Sequence, residues 1–183
     1  MRLFAAIQPP EFVVDNLARA LARFTAGPQG RRNPWQPAGN WHLTLAFYGE
    51  VPDDALPDLV QRLAHAATTT APLALRLAGS GTFRDKVAWI GLSGDTDAVT
   101  GLMADLAPAA GRGGAGPDFP VPHITISRWA HHPNVQAALR QLADYEGPLW
   151  VADQVVLLAS QLGAGQAGHS RYAEVASAPL LGL

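Results

Sequence analysis

Two short stretches of this chain place a histidine and a threonine one residue apart. They are His42-Leu43-Thr44-Leu45 and, 81 positions later, His123-Ile124-Thr125-Ile126. In a β-strand alternate side chains share a face. His42 and Thr44 therefore point one way and Leu43 and Leu45 the other. His123, Thr125 and Ser127 likewise share a face opposite Ile124 and Ile126. If the two polar faces meet across a cleft, they bring two imidazoles and two hydroxyls to one place. Histidine titrates near neutrality, so one ring can accept a proton while the other, charged, gives one up. Threonine hydroxyls can donate to oxyanions without adding charge. The four groups match an in-line substitution at a phosphodiester, chemistry that requires no metal and no cofactor.

The elements around these stretches repeat in order. Arg2 to Gln8 reads as a buried strand closed by Pro9-Pro10. Glu11 to Thr25 has helical spacing at Val13, Val14, Leu17, Leu21 and Phe24. A polar loop leads to the His42 strand, Pro52-Asp53-Asp54 opens a second helix, and Leu73, Leu75 and Leu77 alternate as a strand. The second half runs through a strand from Lys86 to Leu92, a helix from Thr96 to Leu106, a glycine-rich loop and the His123 strand. A helix opening at Pro133-Asn134 and a strand from Trp150 to Leu158 complete it. The expectation is one domain, 1–183, made of two related lobes, with repeat halves at roughly 1–80 and 86–160 and an extra strand at 172–178.

Composition narrows the class. Of 183 residues 48% are hydrophobic and 15% are charged, as in an ordinary globular protein, and the formal charge is −2. That balance argues against a broad electrostatic footprint on nucleic acid, though contact with only the end of an RNA needs none. The absence of cysteine removes disulfides, thiolate nucleophiles and cysteine-held metal centres. No apolar run is long enough to span a bilayer, and MRLFAAIQPPEF lacks the pattern of a signal peptide. The expected setting is cytoplasmic, with no membrane, no obligate protein partner and a monomeric state.

Paired His-x-Thr-x tetrads resemble the signature of the 2H phosphoesterases. HLTLAFYGEV, PHITISR, the opening MRLFAAIQPPEF and the closing SQLGAGQAGHSRYAEV are similar to the RNA 2′,3′-cyclic phosphodiesterases, first named 2′-5′ RNA ligases. The resemblance implies an α+β fold in which antiparallel sheets line a central cleft and helices lie outside. It implies hydrolysis of an RNA-terminal 2′,3′-cyclic phosphate to a 2′-phosphate, with His42 as proton donor, His123 as proton acceptor, and Thr44 and Thr125 on the phosphate. The residues themselves leave the two proton-transfer directions open. Phe47 and Arg128, each five residues after its histidine, match family positions near the nucleotide. Regular alternation puts both on the face opposite the histidines, so only a bulge or the end of the strand would turn them inward.

Rival readings share these residues. The same geometry can join a 5′-hydroxyl to a cyclic phosphate as a 2′-5′ ligase, or open another small cyclic phosphodiester. A non-catalytic module binding RNA ends is a different class. A metal-dependent hydrolase is disfavoured, because no carboxylates cluster beside the histidines. Gly111-Arg112-Gly113-Gly114-Ala115-Gly116 matches a dinucleotide fingerprint by letter but follows a helix pattern rather than a strand, and is set aside. His65, His131, His132 and His169 are read as surface or capping residues, and Arg31-Arg32 as a solvated loop.

Overall fold

The computed structural model describes residues 1–26, 33–108, 121–165 and 168–183. The glycine-rich stretch around 111–116 and Arg31-Arg32 fall outside them. In chain order the elements are β1 (Arg2–Ile7), α1 (Glu11–Thr25), β2 (Leu43–Glu50), α2 (Leu56–Thr69), β3 (Leu73–Phe83) and β4 (Val87–Gly94). There follow α3 (Thr96–Leu106), β5 (His123–Ser127), α4 (Pro133–Gln141), β6 (Trp150–Ala152), β7 (Gln154–Gln161) and β8 (Arg171–Pro179). The strands form one antiparallel sheet in the order β6-β3-β4-β5-β2-β1-β7-β8.

The helices form where the apolar spacing predicts. In α1 the buried positions Val13, Leu17 and Leu21 fall one turn apart, and in α2 Leu59, Leu63, Ala66 and Ala67 do the same. These stripes cover one face of the sheet, α1 packing against α4 and α2 against α3. The main core lies between that face and the helices. Burying each such leucine contributes roughly 1.5–3 kcal/mol. A much smaller apolar group, Phe4, Ala6, Val156 and Leu158 with Tyr172 against it, lies apart from this core.

One expectation is corrected. The strand from Trp150 to Leu158 is two strands. The chain breaks at Asp153, sending β6 to the edge beside β3 and β7 to the far side beside β1. Ala152 and Gln154 are two residues apart, so their Cα atoms lie within roughly 7 Å. They nevertheless belong to strands at opposite ends of the order, which requires the sheet to curl. Within the sheet the strands of the two sequence halves interleave. Outward from the central β2–β5 pair run β1-β7-β8 on one side and β4-β3-β6 on the other. Each sequence half therefore gives one strand to the other's side.

Candidate active site

The histidine-bearing strands meet at the middle of the sheet, where Leu43 pairs antiparallel with Ile124. These residues are the second of each tetrad. An antiparallel pair centred there brings the His42 end of one tetrad to the Thr125 end of the other, and Thr44 to His123. His42, Thr44, His123 and Thr125 line a single cavity of about 370 Å³.

Each imidazole is fixed in the same way. His42 Nδ1 lies 2.7 Å from the Asn40 carbonyl oxygen, and His123 Nδ1 lies 2.8 Å from that of Val121. A carbonyl can only accept, so Nδ1 carries the proton in both rings. Nε2 is left as the lone-pair nitrogen of each neutral imidazole. Aromatic side chains hold the rings. Phe4 and Tyr172 lie 4.8 and 5.2 Å from His42 between centroids, Tyr172 at right angles to it. Phe83 and Trp89 lie 4.8 and 6.4 Å from His123. Trp89 occupies the space over Gly81, where an added Cβ would come 2.3 Å from its Cζ2.

Burial lowers the pKa of His42 from 6.5 to about 4; the bond to Asn40 opposes the shift, and the charges of Arg128 and His123 add to it. His123 is lowered as well, chiefly by burial and then by Arg128, with the bond to Val121 opposing. Both rings are therefore neutral at pH 7 in the free protein, in contrast to the one-charged, one-neutral pair that the sequence chemistry suggests. A bound anion would offset Arg128 and draw a proton onto the site.

Bulges decide the remaining positions. Against β1, Ala5 pairs with Ala46 and Ala6 with Thr44, leaving Leu45 as an extra residue. Leu45 and Ala46 are both buried, and alternation resumes with Phe47 on the face of Thr44. Against β4, Ala88 pairs with Ser127 and Trp89 with Thr125, leaving Ile126 extra. Each extra residue stands three places after its histidine, and each returns the fifth residue to the cleft. Phe47 and Arg128 therefore line the cavity, contrary to regular alternation.

The second bulge removes Ser127 from the site. Its side chain is fully buried, donates to the Pro34 carbonyl at 2.7 Å and accepts from the Trp129 amide at 3.0 Å. It anchors the segment around Trp35 and does not share the open face of His123 and Thr125. His132 caps α4 by accepting from the Asn134 amide at 3.2 Å. His65 lies in a separate groove with Asp58, Arg62 and Asp105.

Several cleft residues are not marked by the sequence patterns: Arg2, Phe4, Asn40, Phe83, Ser160, Ser170 and Tyr172. Ser160 and Tyr172 do have a signal in the resemblance carried by the closing SQLGAGQAGHSRYAEV. Arg2, Phe4 and Ala6 alternate along β1, but nothing local marks which face is open. Among the described residues no group of three or more His, Cys, Asp or Glu side chains is arranged to hold a metal, and no helix is long and apolar enough to cross a membrane.

The structure is thus a curled antiparallel sheet with helices on its outer face, carrying two anchored His-x-Thr pairs in one cleft. The LigT-like phosphoesterase family model matches residues 7–89, the segment holding the first tetrad. A Geobacillus stearothermophilus protein named RNA 2′,3′-cyclic phosphodiesterase is 30% identical over 174 residues, covering 90% of this chain and 54% of that protein. The chain thus spans about half of that relative's length. A Thermotoga maritima protein of the same name is 27% identical, covering 83% of this chain and 82% of the relative. Among solved structures, E. coli LigT complexed with NADP+ superposes with a TM-score of 0.76 at 25% identity, covering 98% of this chain and 97% of that one. A Thermus thermophilus structure gives 0.70 at 25% identity, covering 100% and 99%. Over residues 7–89 the chain is similar to the LigT-like phosphoesterases, and over its whole length it shares the fold of the E. coli LigT structure.

Proposed function

We propose that this protein hydrolyses RNA-terminal 2′,3′-cyclic phosphates to 2′-phosphates by two-histidine acid–base catalysis without a metal. The observation carrying the reading is the matched anchoring of His42 and His123, each through Nδ1 to the carbonyl two residues earlier. Both rings thereby keep Nε2 for proton transfer to one phosphate between them. The names of the Geobacillus and Thermotoga relatives support the substrate class.

In this mechanism the cyclic phosphate rests between Thr44 and Thr125, whose hydroxyls donate to its non-bridging oxygens. Its negative charge raises the proton affinity of the flanking imidazoles and loads His42 with a proton. Neutral His123 takes a proton from water as the oxygen bonds to phosphorus. The bond from phosphorus to the 3′ oxygen breaks, and His42 Nε2 delivers its proton to that oxygen. The products are a 3′-hydroxyl and a 2′-phosphate monoester. Arg128 adds charge-assisted hydrogen bonds to the phosphate, and Phe47 offers a face for the terminal base.

We read the chain as one domain of two related halves, a reading supported by the matching tetrads and matching bulges. The protein acts as a monomer in the cytoplasm. The same site run backwards, with a 5′-hydroxyl in place of water, would make a 2′-5′ linkage.

The test is product analysis on nucleoside 2′,3′-cyclic phosphates and a short RNA ending in one, with chelator present. Wild type is expected to yield only the 2′-phosphate. His42→Ala and His123→Ala should each lose at least about 100-fold in turnover, the scale of general acid–base catalysis. Near-normal turnover by either variant, or loss of wild-type activity in chelator, overturns the mechanism.

A further inference from the structure

The cleft carries more positive charge than one cyclic phosphate can answer. The protein has 15 acidic residues against 13 Lys and Arg, yet no described Asp or Glu lines the cleft and two arginines do, Arg2 and Arg128. Arg128 lies close enough to depress both imidazoles, whereas Arg2 is not among the charges acting on either. Arg2 makes no ion pair among the described residues. Glu50, opposite it in the register, lies instead 3.7 Å from the Met1 amino group.

The sheet register locates Arg2 along the cleft. On β1, Ala6 pairs with Thr44 and Phe4 with Phe47. From the phosphate-holding end the wall therefore runs from Thr44 through the Phe4–Phe47 ring pair, 6.0 Å apart, to Arg2. Leu3 pairs with Ala159 on the neighbouring strand, which brings Ser160, another cleft residue, level with Arg2. Four residues of strand separate Arg2 from Ala6, roughly 13 Å between Cα atoms, and a guanidinium on its long stem shortens that span. The order along the wall is phosphate groups, aromatic surface, cation. A nucleotide with phosphates on both sides of its ribose presents the same order.

Resting on the proposed hydrolase reading, we infer that Arg2, with Ser160 beside it, forms a subsite for a second phosphate on the 5′ side of the terminal ribose. The ligand chemistry is a phosphate ester, supplied either by the next linkage of an RNA chain or by a 5′-phosphate on a mononucleotide. The subsite makes the enzyme prefer such ends over a bare nucleoside cyclic phosphate, whose single negative charge is already met by Arg128 and the threonines.

The test compares kcat/KM on adenosine 2′,3′-cyclic phosphate, its 5′-phosphorylated form, and a dinucleotide ending in the same cyclic phosphate. Wild type, Arg2→Ala, Arg2→Lys and Arg19→Ala are measured, the last altering an exposed arginine of α1 away from the cleft. Wild type should favour the two substrates that carry a second phosphate about 10-fold, the scale of one hydrogen bond to a charged group. Arg2→Ala should bring that ratio close to 1, Arg2→Lys should restore part of it, and Arg19→Ala should leave it unchanged. The salt dependence of dinucleotide binding should weaken by about 0.7 in log–log slope in Arg2→Ala, one phosphate contact on a single strand. A gain confined to the dinucleotide identifies the RNA linkage as the ligand, and a gain on both identifies the phosphate itself.

Calorimetry with adenosine 2′-phosphate and adenosine 2′,5′-bisphosphate supplies a readout that needs no turnover. If no cyclic phosphate is hydrolysed, the function reading fails and the bisphosphate preference alone decides the subsite. A wild-type ratio near 1, or the same ratio in wild type and Arg2→Ala, overturns the inference.

Discussion

His42 and His123 are held by the same contact, Nδ1 to the backbone carbonyl two residues back, at 2.7 and 2.8 Å, and both feel the charge of Arg128. Arg128 lowers the proton affinity of both rings in the free protein, and under the proposed function an anionic phosphodiester would reverse that effect. Because kcat/KM reports the free enzyme, its pH profile should peak on the acid side of 6.5. The alkaline limb, where the required imidazolium is lost, should fall below the ordinary histidine value. The kcat profile reports the loaded enzyme and should move to higher pH. The two limbs belong to the coupled pair rather than to either ring. Arg128→Ala should raise both imidazole titrations, followed by NMR of the ring protons, while weakening phosphate binding. An alkaline limb of kcat/KM above pH 7, or imidazole titrations unmoved in Arg128→Ala, would contradict this electrostatic account.

The same burial makes a prediction that needs no substrate. The folded-state pKa of His42 is about 4 against 6.5 unfolded, so between those values the unfolded chain binds more protons than the folded one. Stability is then fully present above pH 6.5 and is lost as pH falls towards 4. The full loss is on the order of 3 kcal/mol from His42, and His123 adds in the same direction. Denaturant unfolding across pH 4–7 should show the decline, and His42→Gln should flatten it. An equally steep decline in that variant would assign the acid sensitivity elsewhere.

Much of this arrangement was legible in the sequence, for identifiable reasons. The helices announced themselves through buried residues one turn apart, such as Val13, Leu17 and Leu21, and the tetrads through their repetition. Strand periodicity failed at Leu45 and Ile126, because a bulge depends on which residue of the neighbouring strand is opposed. That single slip is why alternation puts Phe47 and Arg128 on the wrong face and Ser127 on the cleft. The break at Asp153 was hidden for a related reason. Trp150 to Leu158 is a continuous strand-forming run, and only the curl of the sheet sends its two parts to opposite ends. Phe4 and Tyr172 reach His42, and Arg2 the far end of the cleft, through pairings between distant strands, which no local pattern encodes.

Ser127 offers a check on the bulge. Its hydroxyl bridges the Pro34 carbonyl and the Trp129 amide in a fully buried setting. Ser127→Ala leaves both groups unsatisfied and should destabilise the fold by about 1–3 kcal/mol. Turnover per folded molecule should stay within about threefold of wild type. Loss of activity without loss of stability would return Ser127 to the catalytic face.

Asn40 distinguishes the two otherwise matched histidines. Its backbone carbonyl anchors His42, while its side-chain Nδ2 donates to the Ser170 carbonyl at 2.8 Å, 130 residues away. Two residues beyond Ser170, Tyr172 packs at right angles on the His42 ring. The Ser170–Tyr172 segment thus fixes His42 twice, once through its carbonyl anchor and once through its ring. Val121, which anchors His123, has no comparable side-chain tie. Asn40→Ala leaves the carbonyl acceptor in place but frees it to shift, so Asn40 acts as a positioning residue. The variant should lower kcat about 10-fold with a smaller change in KM, and the His42 ring signals should shift while those of His123 stay still. Asn40→Asp cannot donate to the Ser170 carbonyl and should behave like alanine despite its matching shape. Equal perturbation of both histidines, or aspartate restoring the wild-type rate, would show that the tie to Ser170 is not what positions His42.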